Sequence, residues 1–169
     1  MPDSHSPSAS SIQGLDLELE EADHRRLAAS CFNHAWTLME QPDRGLEENR
    51  LLLEVAQASR LHWRHVGGDV ELARAAWLLS RVHAVLGDES AALREGRLCL
   101  ELVESGKLGA FDRAFAFEAI ARARHLAGDR QGSADAQAAA HAAAIEITED
   151  SDRDWVRRNL AAMDTPPTA

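Results

Sequence analysis

The sequence contains no tyrosine, only one lysine, and just five prolines and two cysteines among its 169 residues. Valine, isoleucine and threonine together fill 15 positions, whereas alanine fills 31. This composition excludes an extensive β-sheet, because β-branched residues favour strands and alanine favours helices. The two cysteines, Cys31 and Cys99, stand at apolar helical positions without metal-ligand spacing. We therefore expect small buried thiols at both positions.

Long hydrophobic runs and clustered positive charge are also missing. No apolar run approaches the roughly 18 residues of a transmembrane helix. The first ten residues lack the basic and apolar regions of a signal peptide. The net charge is −10, and residues 1–23 carry six acids and no base. Without a basic cluster there is no surface for nucleic acid or an anionic membrane. We expect a cytoplasmic protein that binds neither.

The remaining pattern predicts one all-α domain. Proline is absent from 43–165, so helices can dominate that stretch. We predict a mobile N-terminal tail over 1–14, a single helical domain over 15–164 and a C-terminal tail over 165–169. The glycines and hydrophobic periods predict seven helices, at 22–40, 46–66, 69–86, 88–104, 110–127, 130–147 and 152–163. Expected N-caps are Asp69, Asp88, Asp129 and Ser151.

A repeat is visible in the spacing of three glycines. Gly45, Gly87 and Gly128 are 42 and 41 residues apart, each between amphipathic segments, which is typical of stacked helical hairpins. From 79 to 92 the sequence LSRVHAVLGDESAA resembles the tetratricopeptide repeat. The positions that carry the resemblance are Leu79, Ser80, His83, Gly87, Asp88, Ala92 and then Cys99. The scheme returns at Ile120, Ala121, Gly128, Asp129, Ser133 and Ala140, with Arg124 in place of the aromatic residue.

This resemblance implies a fold and a kind of function. The fold is a right-handed stack of three antiparallel helical hairpins, a tetratricopeptide-repeat-like (TPR-like) α-solenoid, with a C-terminal capping helix. The match covers 70–147, and 22–66 forms a degenerate first hairpin. The repeat of about 42 residues exceeds the common length of about 34, and the longer form resembles that of bacterial regulatory proteins. Such families bind peptides or partner helices in a concave groove, which implies a non-catalytic interaction or ligand-sensing module without a cofactor.

The candidate site consists of polar and aromatic residues on otherwise apolar helix faces. They are His34, His62, Trp63, Trp77, Arg81, Glu118, Arg122 and His125. If stacking brings these faces together, Arg81 and Arg122 engage an anionic group, while Trp63 and Trp77 hold an apolar part. The ligand is then a peptide, a partner protein or a small anionic or amphipathic molecule. The other interpretation is purely structural, with Trp77–Arg81 and Glu118–Arg122 as local pairs.

Two further expectations concern chemistry and assembly. Phosphate-loop, hydrolase, zinc-protease and redox motifs are missing from the sequence, which removes support for the standard enzyme classes. The rival function is a small enzyme or metal-binding protein that uses His34, His62 and Glu118. Because a short array leaves its end faces uncovered, we also expect a homodimer or an arm at 15–19 folded over the first helix.

Overall fold

The computed structural model describes residues 19–163, which form seven α-helices and no strand. The helices are α1 Glu21–Met39, α2 Leu46–Val66, α3 Asp69–Val85, α4 Glu89–Ser105, α5 Ala110–Leu126, α6 Arg130–Ile145 and α7 Asp150–Ala161. The all-α prediction is confirmed. The tails expected at 1–14 and 165–169 lie outside the described residues, as does most of the arm at 15–19. None of the described helices combines the length and apolarity needed to cross a membrane.

Two of the four predicted N-caps are confirmed and two are wrong. Asp88 and Asp129 each accept a hydrogen bond of 2.9 Å from the backbone N–H three residues later. Asp69 lies inside α3 instead, because the Gly68 N–H donates to the Glu71 carboxylate at 2.9 Å and fixes an earlier start. Likewise α7 begins before Ser151, with Asp150 and Asp152 in its first turn. Acidic side chains there interact favourably with the helix dipole, so a hydroxyl cap is not required.

Packing follows the chain order. The most extensive contacts join α1 to α2, α3 to α4 and α5 to α6, so the helices form three sequential pairs. The first helices of these pairs also meet, since α3 contacts both α1 and α5, and α7 packs on α5 and α6. Side chains from α1, α3, α5 and α7 are thereby brought to one region of the molecule.

The second and third pairs have the same turn. Gly87 and Gly128 adopt φ of 80° and 76°, a left-handed conformation that glycine adopts without a Cβ clash. The capping aspartate follows each glycine directly. Ser80 on α3 donates to the Ala92 carbonyl at 2.7 Å, and Ser133 on α6 donates to the Ala121 carbonyl at 3.0 Å. Positions 80 and 92 correspond to positions 121 and 133, which lie 41 residues later. The serine is on the first helix of the second pair and on the second helix of the third pair.

Close helix approach is possible because the core is rich in small residues. Gly96 is buried in α4, and a Cβ placed on it would lie 3.3 Å from the Ile120 backbone nitrogen on α5 and from the Ser80 hydroxyl on α3. Larger side chains, including Leu52, Leu78 and Leu79, are fully buried between the pairs. The core therefore combines a few large anchors with many alanines.

Candidate functional site

A buried carboxylate lies where α3, α5 and α7 meet. Glu118 on α5 is 0% exposed. It accepts hydrogen bonds from Trp77 Nε1 at 3.0 Å, from Arg122 Nε at 2.9 Å and from Arg81 Nη1 at 3.5 Å. Arg122 is one turn further along the same helix, which places its guanidinium beside the carboxylate. A carboxylate withdrawn from water is stable only with such partners, and these donors supply them.

Asn159 on α7 completes this group. It accepts from Arg81 Nη1 at 2.9 Å through its side-chain oxygen and from Arg122 Nη2 at 3.3 Å through its backbone carbonyl. Its own amide donates to the Trp155 carbonyl at 3.0 Å. We call Trp77, Arg81, Glu118, Arg122 and Asn159 the Glu118 cluster. Burial, together with the nearby Arg122 guanidinium, lowers the pKa of Arg81, and Glu118 opposes that shift.

The cluster extends to α1 through an aromatic contact. The Arg81 guanidinium lies 5.1 Å from the ring centroid of Trp36, and the Trp36 and Trp77 centroids are 5.7 Å apart. Trp36, Trp77 and Glu118 follow one another at intervals of 41 residues. Equivalent positions on α1, α3 and α5 are therefore neighbours in space.

The structure brings together four of the eight predicted site residues. Trp77, Arg81, Glu118 and Arg122 converge, and their polar atoms bond largely to one another and to Asn159. This arrangement agrees with the structural interpretation of the pairs. Binding of an external anion by the two arginines stays a prediction.

The other four predicted residues have different surroundings. His34 and His125 are exposed on α1 and α5. Trp63 lines a shallow cavity with Phe32 and Arg74. His62 lies near the end of α2, where its Nδ1 is 2.9 Å from the Nδ1 of His24.

His62 thus belongs to a group of imidazoles between α1 and α2. His24 is buried, and its ring stacks on His65 with centroids 4.4 Å apart. Burial, followed by repulsion from His24 and His65, lowers the pKa of His62. Within 19–163, no three His, Cys, Asp or Glu side chains are arranged to hold a metal ion. The alternative set of His34, His62 and Glu118 is divided between an exposed position, this imidazole group and the Glu118 cluster.

An apolar pocket adjoins the Glu118 cluster. Its volume is about 210 Å³. Five aromatic side chains line it, from α1, α3, α5 and α7: Phe32, Trp77, Phe111, Phe115 and Trp155. Phe115 meets both Trp77 and Trp155 edge to face, with ring centroids 5.1 Å apart in each case. We call this cavity the aromatic pocket.

The polar groups of the aromatic pocket form one ion pair. Arg74 Nε donates to Asp112 Oδ1 at 2.8 Å, whereas Nη2 is 3.5 Å from Oδ2. The Arg74 side chain is 51% exposed and lies 5.6 Å from the Phe111 centroid. Cys99 also lines the pocket, and burial raises the pKa of its thiol to about 12, with further increases from Asp112 and Glu118. The thiol is therefore neutral at physiological pH.

Sequence reasoning missed most of the aromatic pocket. Of its aromatic residues only Trp77 was among the candidates, because apolar side chains on helix faces look like ordinary core. One available signal was the spacing of Phe111 and Phe115, which places them one turn apart on the side of α5 that carries Glu118. No such signal indicated Phe32 or Trp155, whose position depends on how α1 and α7 pack.

The chain was compared with protein-family models, with curated proteins and with solved structures, and none of these matches it.

Proposed function

We propose that this chain is a non-catalytic, TPR-like binding module that takes its ligand, or an apolar side chain of a partner, into the aromatic pocket. In this proposal the three helix pairs form a right-handed stack, α7 caps it, and α1, α3 and α5 line the inner face. The repeated glycine–aspartate turns support the stack, as do the contacts between positions 41 residues apart.

The observation that carries the proposal is the pocket itself. Small-ligand sites are concave, mostly apolar and equipped with few polar groups. The aromatic pocket fits this description, with five rings and a single ion pair. Its position also suits a binding site, because five helices contribute to it and Trp155 remains 40% exposed at its edge.

The Glu118 cluster supports a binding role over a catalytic one. A general acid or base needs a group that is free to exchange a proton with substrate. Glu118 is fully buried and bonded to Trp77 and Arg122. In our proposal it acts as a scaffold that holds α3, α5 and α7 together, and thereby fixes Trp77 and Trp155 as pocket walls.

A fragment screen by protein NMR tests this function. Ala73 lines the pocket and is buried, so Ala73→Leu should fill the cavity, and Trp155→Ala should remove part of its wall. We expect apolar fragments to shift the resonances of pocket residues in the native chain. Both variants should bind these fragments with an affinity at least tenfold lower. Ala138→Leu, at an exposed position of α6, is the control and should bind like the native chain.

Circular dichroism establishes that each variant keeps its helices. The proposal fails if no fragment perturbs the pocket residues. It also fails if fragments bind equally well to native, filled and opened pockets.

A further inference from the structure

We propose that the aromatic pocket is selective for a fused bicyclic aromatic molecule that carries one carboxylate, with the ring system inside the pocket and the carboxylate on Arg74. This inference rests on the proposed binding function and specifies its ligand class. Three properties of the pocket support this inference: its volume, the chemistry of its walls and the geometry of its one ion pair, in which only part of the Arg74 guanidinium is hydrogen-bonded to Asp112.

The volume sets the size of the ligand. An engineered apolar cavity of about 150 Å³ holds one benzene molecule, and pockets for drug-sized ligands begin at about 300 Å³. At about 210 Å³ the aromatic pocket lies between these limits. It is larger than a single ring needs and too small for an extended peptide segment. Two fused rings of the size of indole fit this range.

The walls favour an aromatic ring over an alkyl chain. Phe111 and Phe115 meet at 66° with centroids 5.0 Å apart, and Trp155 lies 5.1 Å from Phe115 at 60°. These walls present both ring faces and ring edges, and an aromatic guest can pair with each through its quadrupole. Cys99 adds a neutral sulfur, which also contacts aromatic rings favourably.

The ion pair sets the sign of the ligand charge. Asp112 is 12% exposed, and both its oxygens face the Arg74 guanidinium. The Arg74 guanidinium can donate further hydrogen bonds, since its Nη2 bond is long and its Nη1 has no hydrogen-bond partner among the described residues. A guanidinium binds a second carboxylate readily through such free N–H groups. An ammonium group would instead have to compete with Arg74 for Asp112.

The carboxylate of Glu71, which lies near Arg74, does not reverse the preference for a negatively charged ligand. Glu71 lines the adjoining shallow cavity together with Arg74. Its Oε2 accepts the Gly68 N–H at 2.9 Å and so stabilises the start of α3. Glu71 does not line the aromatic pocket itself, and among the described residues that do, Arg74 carries the only positive charge.

Isothermal titration calorimetry with three probes at pH 7.5 tests the inference: indole, indole-3-acetate and tryptamine. We expect indole-3-acetate to bind with a Kd on the order of 10 to 100 μM. It should bind about tenfold more tightly than indole, since a charge-assisted hydrogen bond is added. Tryptamine should bind more weakly than indole.

Arg74→Gln should abolish the preference for indole-3-acetate, so that indole-3-acetate and indole bind this variant with about the same affinity. Arg113→Gln is the matched control, because Arg113 on α5 forms an ion pair with Glu146 outside the pocket. It should retain the tenfold preference.

Each alternative result refutes a defined part of the inference. Equal binding of indole and indole-3-acetate would refute the charge preference, and tightest binding of tryptamine would identify Asp112 as the recognising group. If none of the three probes binds at millimolar concentration, the bicyclic ligand class is wrong. The fragment screen tests the proposed binding function separately. The inferred ligand class can therefore be refuted by calorimetry while the binding function is retained.

Discussion

Replacing Glu118 with glutamine removes a charge and almost no volume from the centre of the Glu118 cluster. The amide retains one oxygen that can accept a hydrogen bond, but its NH₂ group must face a donor of Trp77 or Arg122, where an acceptor is needed. The guanidiniums of Arg81 and Arg122 then lose their carboxylate, although their side chains are only 19% and 21% exposed. The variant therefore leaves partly buried charge without compensation.

The expected loss is about 3 to 5 kcal/mol of unfolding free energy, which is the typical effect of removing one partner from a buried ion pair. Domains of this size are stable by about 5 to 15 kcal/mol, so the loss is a large fraction of the total. It corresponds to a decrease in Tm of about 10 °C. The measurement is urea unfolding followed by circular dichroism. Glu101→Gln, at an exposed position of α4, should change the free energy by less than about 0.5 kcal/mol.

A double-mutant cycle distinguishes the pair from a general packing defect. Arg122→Met should destabilise the native chain more than it destabilises the Glu118→Gln variant, with a coupling energy of about 1 to 3 kcal/mol. The apolar triple variant Arg81→Met, Glu118→Leu, Arg122→Met should lose less stability than Glu118→Gln alone, because no unpaired charge remains. Glu118→Gln with a loss below about 1 kcal/mol, or a coupling energy of zero, would refute the scaffold role of the cluster.

Four further predictions concern other parts of the molecule. The pKa of His62 is lowered in the folded chain. As the pH falls below about 6.5, the His62 imidazole is therefore protonated more readily in the unfolded chain, which lowers the free energy of unfolding. His62→Gln should therefore lose less stability between pH 7.5 and pH 5.5 than the native chain, and an equal loss would contradict this. A thiol reagent at pH 8 should modify the half-buried Cys31 well before Cys99, whose burial raises its pKa to about 12. Equal modification rates in mass spectrometry would contradict the burial of Cys99. Gly87→Ala should cost about 1 to 2 kcal/mol in urea unfolding and Gly87→Asn less, because φ is 80° and the surroundings are open; equal costs would refute this reason. If the chain forms the homodimer that we expect from the sequence, light scattering should give twice the chain mass, and a monomer at every concentration would refute that expectation.

Local features of the fold could be predicted from the sequence. The predicted helix α2 has the observed bounds, 46–66, because Gly45 and Gly67 interrupt the hydrophobic pattern at both ends. Asp88 and Asp129 are N-caps in the structure as predicted. Each of these features depends on side chains within a few residues of one another. The N-caps predicted at Asp69 and Ser151 were wrong, because a glutamate side chain stabilises the start of α3 and the helix dipole favours the acidic first turn of α7.

The site depended on contacts that cross between helices. The sequence established that Glu118 and Arg122 are one turn apart, but only the packing of α3 and α7 against α5 placed Trp77 and Asn159 on them. In the same way, Phe32 and Trp155 share a pocket although they lie far apart in the chain. Helix formation is governed by neighbours one turn away, and the sequence alone determined it. Which faces meet is governed by side-chain volume and buried hydrogen bonding across helices, and the tertiary structure decided that.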